Sequence, residues 1–359
     1  MKEYPPAIRY LVRIALIFAI AAILSITKQL LVPLSFSIFL AYLLYPSARK
    51  LEELKIPRIA TNFIVIIVFM GGIFTLLFIL SQLFEGLSED LPELRESFSA
   101  SINMLQQSVD QVFGLSIAQQ NDIIKTAGLN SDYFATVIEA GKNLFITLAL
   151  IPVYTFLLLF YRDKFKDFVF MLVSDEKSQT VKEIILKAAD VVPKYLKGLL
   201  VVCFLLIGIN TLGFYLIGVE YFLLFGLVAA IFNLIPYLGT VLGYGIVVFF
   251  VLGTQSPTVA GAVVIQFFIV QFLENNILTP NITGSYVRIN PLVIIFSLIA
   301  GGLIWNLPGM FLVIPTLGVL KIIFESVDEW KPYAFLLGTS GTEEHSITIN
   351  SLKKRFGWE

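Results

Sequence analysis

Residues 221–253 read YFLLFGLVAAIFNLIPYLGTVLGYGIVVFFVLG, an apolar run broken in its middle by NLIPYLGT at 233–240. A helix crosses a hydrocarbon core of about 30 Å with about 20 residues, so the run is too long for one crossing. Its arms, roughly 14–17 residues at about 1.5 Å each, reach only about 21–26 Å. They suit a re-entrant hairpin or a tight pair of short helices. Residues 292–325 repeat the pattern, with WNLPGM at 305–310; both breaks run Asn-Leu, then Pro, then Gly. Non-helical backbone at membrane depth survives only when buried in protein or lining a wet cavity. Paired Gly/Pro-interrupted segments of this kind point to the substrate site of a secondary transporter. Within the first break, GTVLG (239–243) has the small-xxx-small spacing of a helix-packing seam.

The composition agrees with a bilayer as solvent. Of 359 residues, 57% are hydrophobic and 14% charged, against roughly 25% charged in a soluble domain. Mean hydropathy is +0.85. A net charge of −1 without a basic stripe argues against a nucleic-acid partner. The single cysteine, Cys203, excludes an internal disulfide and a cysteine zinc site. The single histidine, His345, lies in a polar tail. Neither HExxH nor a Gly-x-x-x-x-Gly-Lys-Ser/Thr loop occurs, so zinc hydrolysis, Ser-His chemistry and direct ATP drive lack their parts. The chain reads as a non-enzyme with no cofactor or metal.

Single crossings are predicted at 9–28, 30–47, 61–84, 142–161, 198–218 and 258–277. The first follows Lys2, Arg9 and Arg13, and reads as an uncleaved span because hydrophobic segments continue down the chain. The expected fold is an all-α polytopic membrane protein of about eight membrane helices with Pro/Gly-interrupted re-entrant or broken segments. Its expected organisation is spans one to three (1–84), an extracytoplasmic helical insertion (85–136), span four (137–161), a cytoplasmic amphipathic helix (162–197), a transport core (198–325) and a cytoplasmic polar tail (326–359).

Orientation follows the cations. Arg49, Lys50, Lys55 and Arg58 lie between spans two and three, and Arg162, Lys164, Lys166 and five further lysines between spans four and five. Residues 85–136 hold only Arg95 and Lys125. The rule places both termini and the two basic segments in the cytoplasm. The outer insertion repeats apolar residues from Leu91 to Val112 on one helical face, and Ser116 to Gln119 has capping-box spacing. Its acidic start is either a cation-attracting vestibule or a solvated face. In the inner segment, Ser174 is the expected N-cap of an amphipathic helix, and Pro193 the expected kink before span five. That helix suits anionic headgroups or a neighbouring protomer.

Beyond the first interrupted run, QFLENNILTPNITGSYVRINP (271–291) sets a carboxylate, amides, prolines and an arginine between two hydrocarbon stretches. Glu274 is expected at or near the end of an apolar helix. A carboxylate at membrane depth costs about 2.5–3.5 kcal/mol on insertion scales, so it faces a partner or a cavity. With the amides of Asn275 and Asn276 it suits a hard cation, a proton or the hydroxyls of a small polar solute. At headgroup level it would meet only water. Arg288 is a candidate counter-charge.

IPYLG (235–239), ENNILTPNITG (274–284), NP (290–291) and GGLIWNLPGMFLVIP (301–315) together resemble the autoinducer-2 exporter family of bacterial membrane proteins. The family usually carries proline where Thr240 stands, glycine between Gly302 and Gly309 where this chain has Trp305, Asn306 and Pro308, and glycine or leucine near Arg288. The resemblance implies a bacterial inner-membrane homo-oligomer, a pentamer, that exports the quorum-sensing signal autoinducer-2 or, in some relatives, exchanges Na⁺ for H⁺. The expected function is a secondary transporter exporting a small polar solute, coupled to H⁺ or Na⁺. A monovalent cation/proton antiporter is the alternative, and a non-transporting scaffold a further one. Candidate pathway residues are Glu274, Asn275, Asn276, Thr279, Asn233, Asn306 and Arg288. Candidate shapers of the breaks are Pro236, Gly239, Pro280, Gly284, Gly301, Gly302, Pro308, Gly309 and Pro315. An intramembrane carboxylate enzyme would need a second carboxylate at similar depth, and only Glu274 qualifies.

Overall fold

A computed structural model describes residues 6–89, 106–107, 110, 114–120, 149–235, 238–282 and 289–339. Every regular element among them is helical. The elements that position the site are α1 (Pro6–Ile26), α2 (Lys28–Glu53), α3 (Arg58–Glu89), α4 (Ala149–Phe160), α5 (Arg162–Met171), α6 (Asp175–Ile217), α7 (Phe222–Phe232), α8 (Leu238–Thr254), α9 (Pro257–Leu273), α10 (Thr279–Ile282), α11 (Pro291–Ser326) and α12 (Lys331–Leu337). Five stretches are long and apolar enough to cross a membrane: α2, α3, α6, Pro257–Ile282 and α11; α1, α4, α7 and α8 contribute shorter apolar helices. Large side chains such as Phe18, Phe78, Phe204 and Leu303 point outward, the inverse of a water-facing surface. The chain is a multi-pass membrane protein.

The first compact unit comprises residues 1–62, 153–196 and 284–359. Asn290 starts α11: its side-chain oxygen accepts from the Leu292 N–H at 3.0 Å, and Pro291 fills the first turn. Helical geometry then fails at Trp305 and Asn306, inside the expected WNLPGM break. Pro308 supplies the cause, since its ring has no N–H for the Ile304 carbonyl and clashes with it. In a straight helix Gly301 and Gly309 would lie about 12 Å apart. Here they touch: a Cβ on Gly309 would overlap the Gly301 carbonyl oxygen, and one on Gly301 would stand 2.8 Å from the Gly309 oxygen. The arms of α11 therefore fold back as a hairpin. Trp305 ties the turn to α1 by donating its indole N–H to the Leu24 carbonyl at 2.9 Å. Phe36 of α2 stacks on Phe311 of the returning arm, 5.5 Å between centroids.

At the ends of α2 and α4 the basic loops are pinned by charge. Glu52 is bound by the Arg162 guanidinium and lies 3.8 Å from Arg58, which pairs with Asp163 at 2.8 Å. Arg162 also sits 5.1 Å over the Tyr45 ring. Burial opposes the Arg162 charge, yet the Glu52 carboxylate holds its pKa above the ordinary value.

The second unit comprises residues 63–152 and 197–283. Its core joins Phe214 of α6, Phe225 and Ala229 of α7, Tyr244, Val247 and Val251 of α8, and Ala260 and Val263 of α9. Ser256 caps α9, its hydroxyl accepting from the Val259 N–H at 3.3 Å, with Pro257 in the first turn.

α6 begins one residue after Ser174, as expected, and runs as a single helix to Ile217 with Pro193 inside it, so amphipathic helix and span five are one element. Proline costs one backbone bond, and Ala188, Val192 and Leu196 around it are buried. The capping box at 116–119 is present, with the Gln119 side chain accepting from the Ser116 N–H at 3.0 Å and the Gln119 N–H donating back to the Ser116 hydroxyl at 3.4 Å. The apolar stripe from Leu91 to Val112, the tail beyond 339, Pro236, Gly284 and Arg288 lie outside the described residues.

Asn306 stands at φ 53°, a conformation that costs an L-residue roughly 1–2 kcal/mol and glycine almost nothing. Asn306→Gly is expected to raise the melting temperature in detergent. Gly309→Ala, whose methyl cannot fit against the Gly301 carbonyl, is expected to lower stability by about 1–3 kcal/mol. Equal melting of all three proteins would refute the hairpin contact.

Candidate functional site

The first break lies wholly within the second unit. α7 ends at Phe232 and α8 begins at Leu238, so the interruption starts at the expected residue, 233, and the second helix takes in the last three residues of the expected break, 238–240. Gly239 and Gly243 make the return possible. A Cβ on Gly239 would overlap the Phe232 carbonyl oxygen, and one on Gly243 would meet the Ala229 Cα at 3.0 Å. The GTVLG spacing is thus a backbone-to-backbone seam between α7 and α8.

Glu274 sits against this break. α9 ends at Leu273, and residues Glu274–Leu278 form a π-turn, with the Thr279 N–H donating to the Glu274 carbonyl five residues back. Pro280 accounts for the widening: it offers no N–H to Asn276 and would crowd that carbonyl in a regular α-helix. Asn276 and Asn281 turn their amide nitrogens to the Phe272 and Ile277 carbonyls at 2.9 and 2.7 Å, so both serve the loosened backbone. The half-buried Glu274 carboxylate accepts from Asn233 Nδ2 at 2.7 Å and from Gln271 Nε2 at 3.5 Å. Asn233 comes from the interruption itself, so one hydrogen bond joins the α7–α8 break to the π-turn.

The sequence-predicted residues therefore divide. Asn233 and Glu274 are brought together. Asn275 and Asn276 are exposed beside them, and Thr279 and Pro280 continue the same helix. Asn306, Gly301, Gly302, Pro308, Gly309 and Pro315 belong to the first unit.

Sequence reasoning missed a buried polar group in the second unit. Asn210 of α6 is 2% exposed; its side-chain oxygen accepts from the Tyr244 hydroxyl at 2.7 Å, and its carbonyl accepts from Gln266 Nε2 at 3.3 Å. Gln266 lies where glycine stands on α6, because a Cβ on Gly213 would overlap its amide. The Gln266 Oε1 atom is buried without a partner. Single amides spaced along apolar helices give no local signal; only their convergence does. In the first unit, Asn62 and Thr155 are likewise buried and unpartnered. No cluster of metal-ligating side chains occurs among the described residues.

The family model for AI-2E family transporters matches residues 12–329. The chain belongs to that family. It is 29% identical over 309 residues to YrrI of Bacillus subtilis (strain 168), covering 83% of this chain and 86% of the relative. It is 26% identical over 319 residues to YueF of the same strain, covering 84% and 85%. Both carry names that state transport without a substrate. Identity to the Escherichia coli (strain K12) AI-2 transport protein TqsA is 24% over 344 residues, covering 94% of this chain and 97% of TqsA.

The seam and the polar group are separable by mutation. Tyr244→Phe leaves the Asn210 oxygen unpaired in an apolar core and is expected to cost about 1–3 kcal/mol. Gly239→Ala is expected to destabilise more, because backbone rather than a movable side chain blocks its methyl. Thermal unfolding in detergent ranks the two, and a Gly239→Ala protein as stable as wild type would rule out the close return.

Proposed function

We propose that this chain is a secondary transporter that exports a small polar solute of the autoinducer-2 class, with Glu274 as its proton-exchanging group. The observation that carries the reading is the 2.7 Å bond from Asn233 to Glu274. It places the one strong candidate carboxylate at an interrupted helix, where transporters of several architectures bind their solutes and ions. Membership of a transporter family and likeness to TqsA support the solute class.

The chemistry is reciprocal. An ionised Glu274 only accepts, so Asn233 presents its nitrogen, as seen here. A protonated Glu274 keeps one acceptor oxygen for Asn233 and gains an O–H that asks for an acceptor of its own, which the Asn233 side-chain oxygen supplies if the amide turns over. Protonation thereby changes the hydrogen-bonding demand at the break. The alternating-access step would rock the α7–α8 hairpin against the α9 π-turn. We further read the assembly as a homo-oligomer in the bacterial inner membrane with both termini cytoplasmic, from the family resemblance and the distribution of cations.

The test uses purified protein in liposomes that enclose a pH-sensitive dye, with Na⁺, K⁺ or Li⁺ gradients imposed and autoinducer-2 efflux followed in parallel. Wild type is expected to move solute with accompanying protons, Asn233→Leu to slow both, and Glu274→Gln to lose proton movement. Cation-driven proton flux without any solute efflux would favour the antiporter alternative. Identical rates in wild type and Glu274→Gln for protons and solute would remove Glu274 from the path.

A further inference from the structure

The first unit holds a cavity of about 400 Å³ beside the α11 break, bounded by α1, α2 and both arms of the hairpin. Its polar lining is small. Trp305 is already spent on the Leu24 carbonyl, and the Thr316 hydroxyl donates to the Leu312 carbonyl at 2.6 Å. Ser35 and Ser297 are the other hydroxyls, and the remaining lining, Ile38 and Leu312 among it, is hydrocarbon. No charged side chain borders it among the described residues.

This chemistry decides the occupant. A buried water needs two to four polar partners, so the space cannot be filled by a water cluster. A cation would find no carboxylate, and an anion no guanidinium or ammonium. Left empty, the walls would forfeit dispersion contacts on one side. A void of this size falls within the range of ligand pockets, about 300–1,000 Å³, which are mostly apolar with a few placed polar groups. Ile38 is 38% exposed, so the cavity communicates with the hydrocarbon surroundings of α2.

We infer that this cavity binds a phospholipid acyl chain drawn from the bilayer, seated against the α11 hairpin. The chain fills the space that the hairpin turn leaves behind Trp305. The site is chemically distinct from the polar Glu274–Asn233 pair, and its occupancy does not depend on what solute the protein moves.

The experiment reconstitutes the full-length protein with a phosphatidylethanolamine whose acyl chain carries a terminal diazirine, followed by photolysis and peptide mapping. Labelling is expected to concentrate on α2 residues 35–39 and α11 residues 297–317, and to fall at least five-fold in Ser297→Phe, whose ring fills the cavity. Ser35→Phe, entering from the other wall, is the second filling variant, and size-exclusion profiles establish that each remains folded. A diazirine-bearing free alkane that labels the cavity where the phospholipid does not would overturn the lipid assignment. So would labelling spread over all exposed apolar faces and unchanged in both filled variants. Because the readout is a crosslink, loss of transport in the liposome assay leaves it intact, and loss of labelling leaves the transport reading intact.

Discussion

Backbone carbonyls that have lost their helical partners cannot be left facing hydrocarbon. The architecture is arranged around that constraint at two places. In each, glycine lets a second segment of backbone lie directly on the break: Gly239 against the Phe232 carbonyl, Gly309 against the Gly301 carbonyl. A methyl group at either position would pry the arms apart and expose the orphaned groups. Side chains then finish the work. Trp305 covers the Leu24 carbonyl, and Asn276 and Asn281 cover carbonyls around the π-turn. The prolines open the helices and the glycines and amides make the openings tolerable.

Charge obeys the same economy. Glu52, Arg58, Arg162 and Asp163 are paired where α2 and α4 end, away from the apolar middle of the helices. Glu274 is different. Its hydrogen-bond donors are neutral amides, Asn233 and Gln271, so the ionised form keeps hydrogen bonds but no compensating cation among the described residues. A carboxylate held this way has no permanent counter-charge beside it to lock its ionised form. An arginine in place of Asn233 would supply that counter-charge and make a firmer structural pair.

Much of this was legible in the sequence, for definable reasons. Helix breaks announce themselves through Asn-Leu-x-Pro and Leu-Pro-Gly because proline and glycine act locally. Caps at Ser116, Asn290 and Ser256 are similarly local, and the first was read from spacing alone. Proline alone does not set the outcome: α11 loses helical geometry just before Pro308, whereas α6 carries Pro193 within one helix. The partner of Glu274 was also beyond local reading. The adjacent amides Asn275 and Asn276 looked like co-ligands, yet successive residues leave a helix in different directions. The residue that meets the carboxylate comes from 41 positions earlier in the chain. Asn210, Tyr244 and Gln266 escaped for the same reason.

The two interrupted helices share a sequence pattern but not a chemistry. Around the first, the structure gathers a carboxylate, two amides and, in the same unit, the Asn210–Tyr244–Gln266 group. Around the second, it gathers tryptophan, aliphatic side chains and an apolar cavity. A duplicated site would be expected to present similar groups at both breaks, and it does not. The first break is therefore surrounded by groups that can hydrogen-bond or carry charge. The second is set among apolar side chains, with Asn306 in its turn at φ 53°. Identical local rules for breaking a helix thus yield a polar, amide-flanked break in one setting and an apolar one in the other, and the residues facing the break determine which.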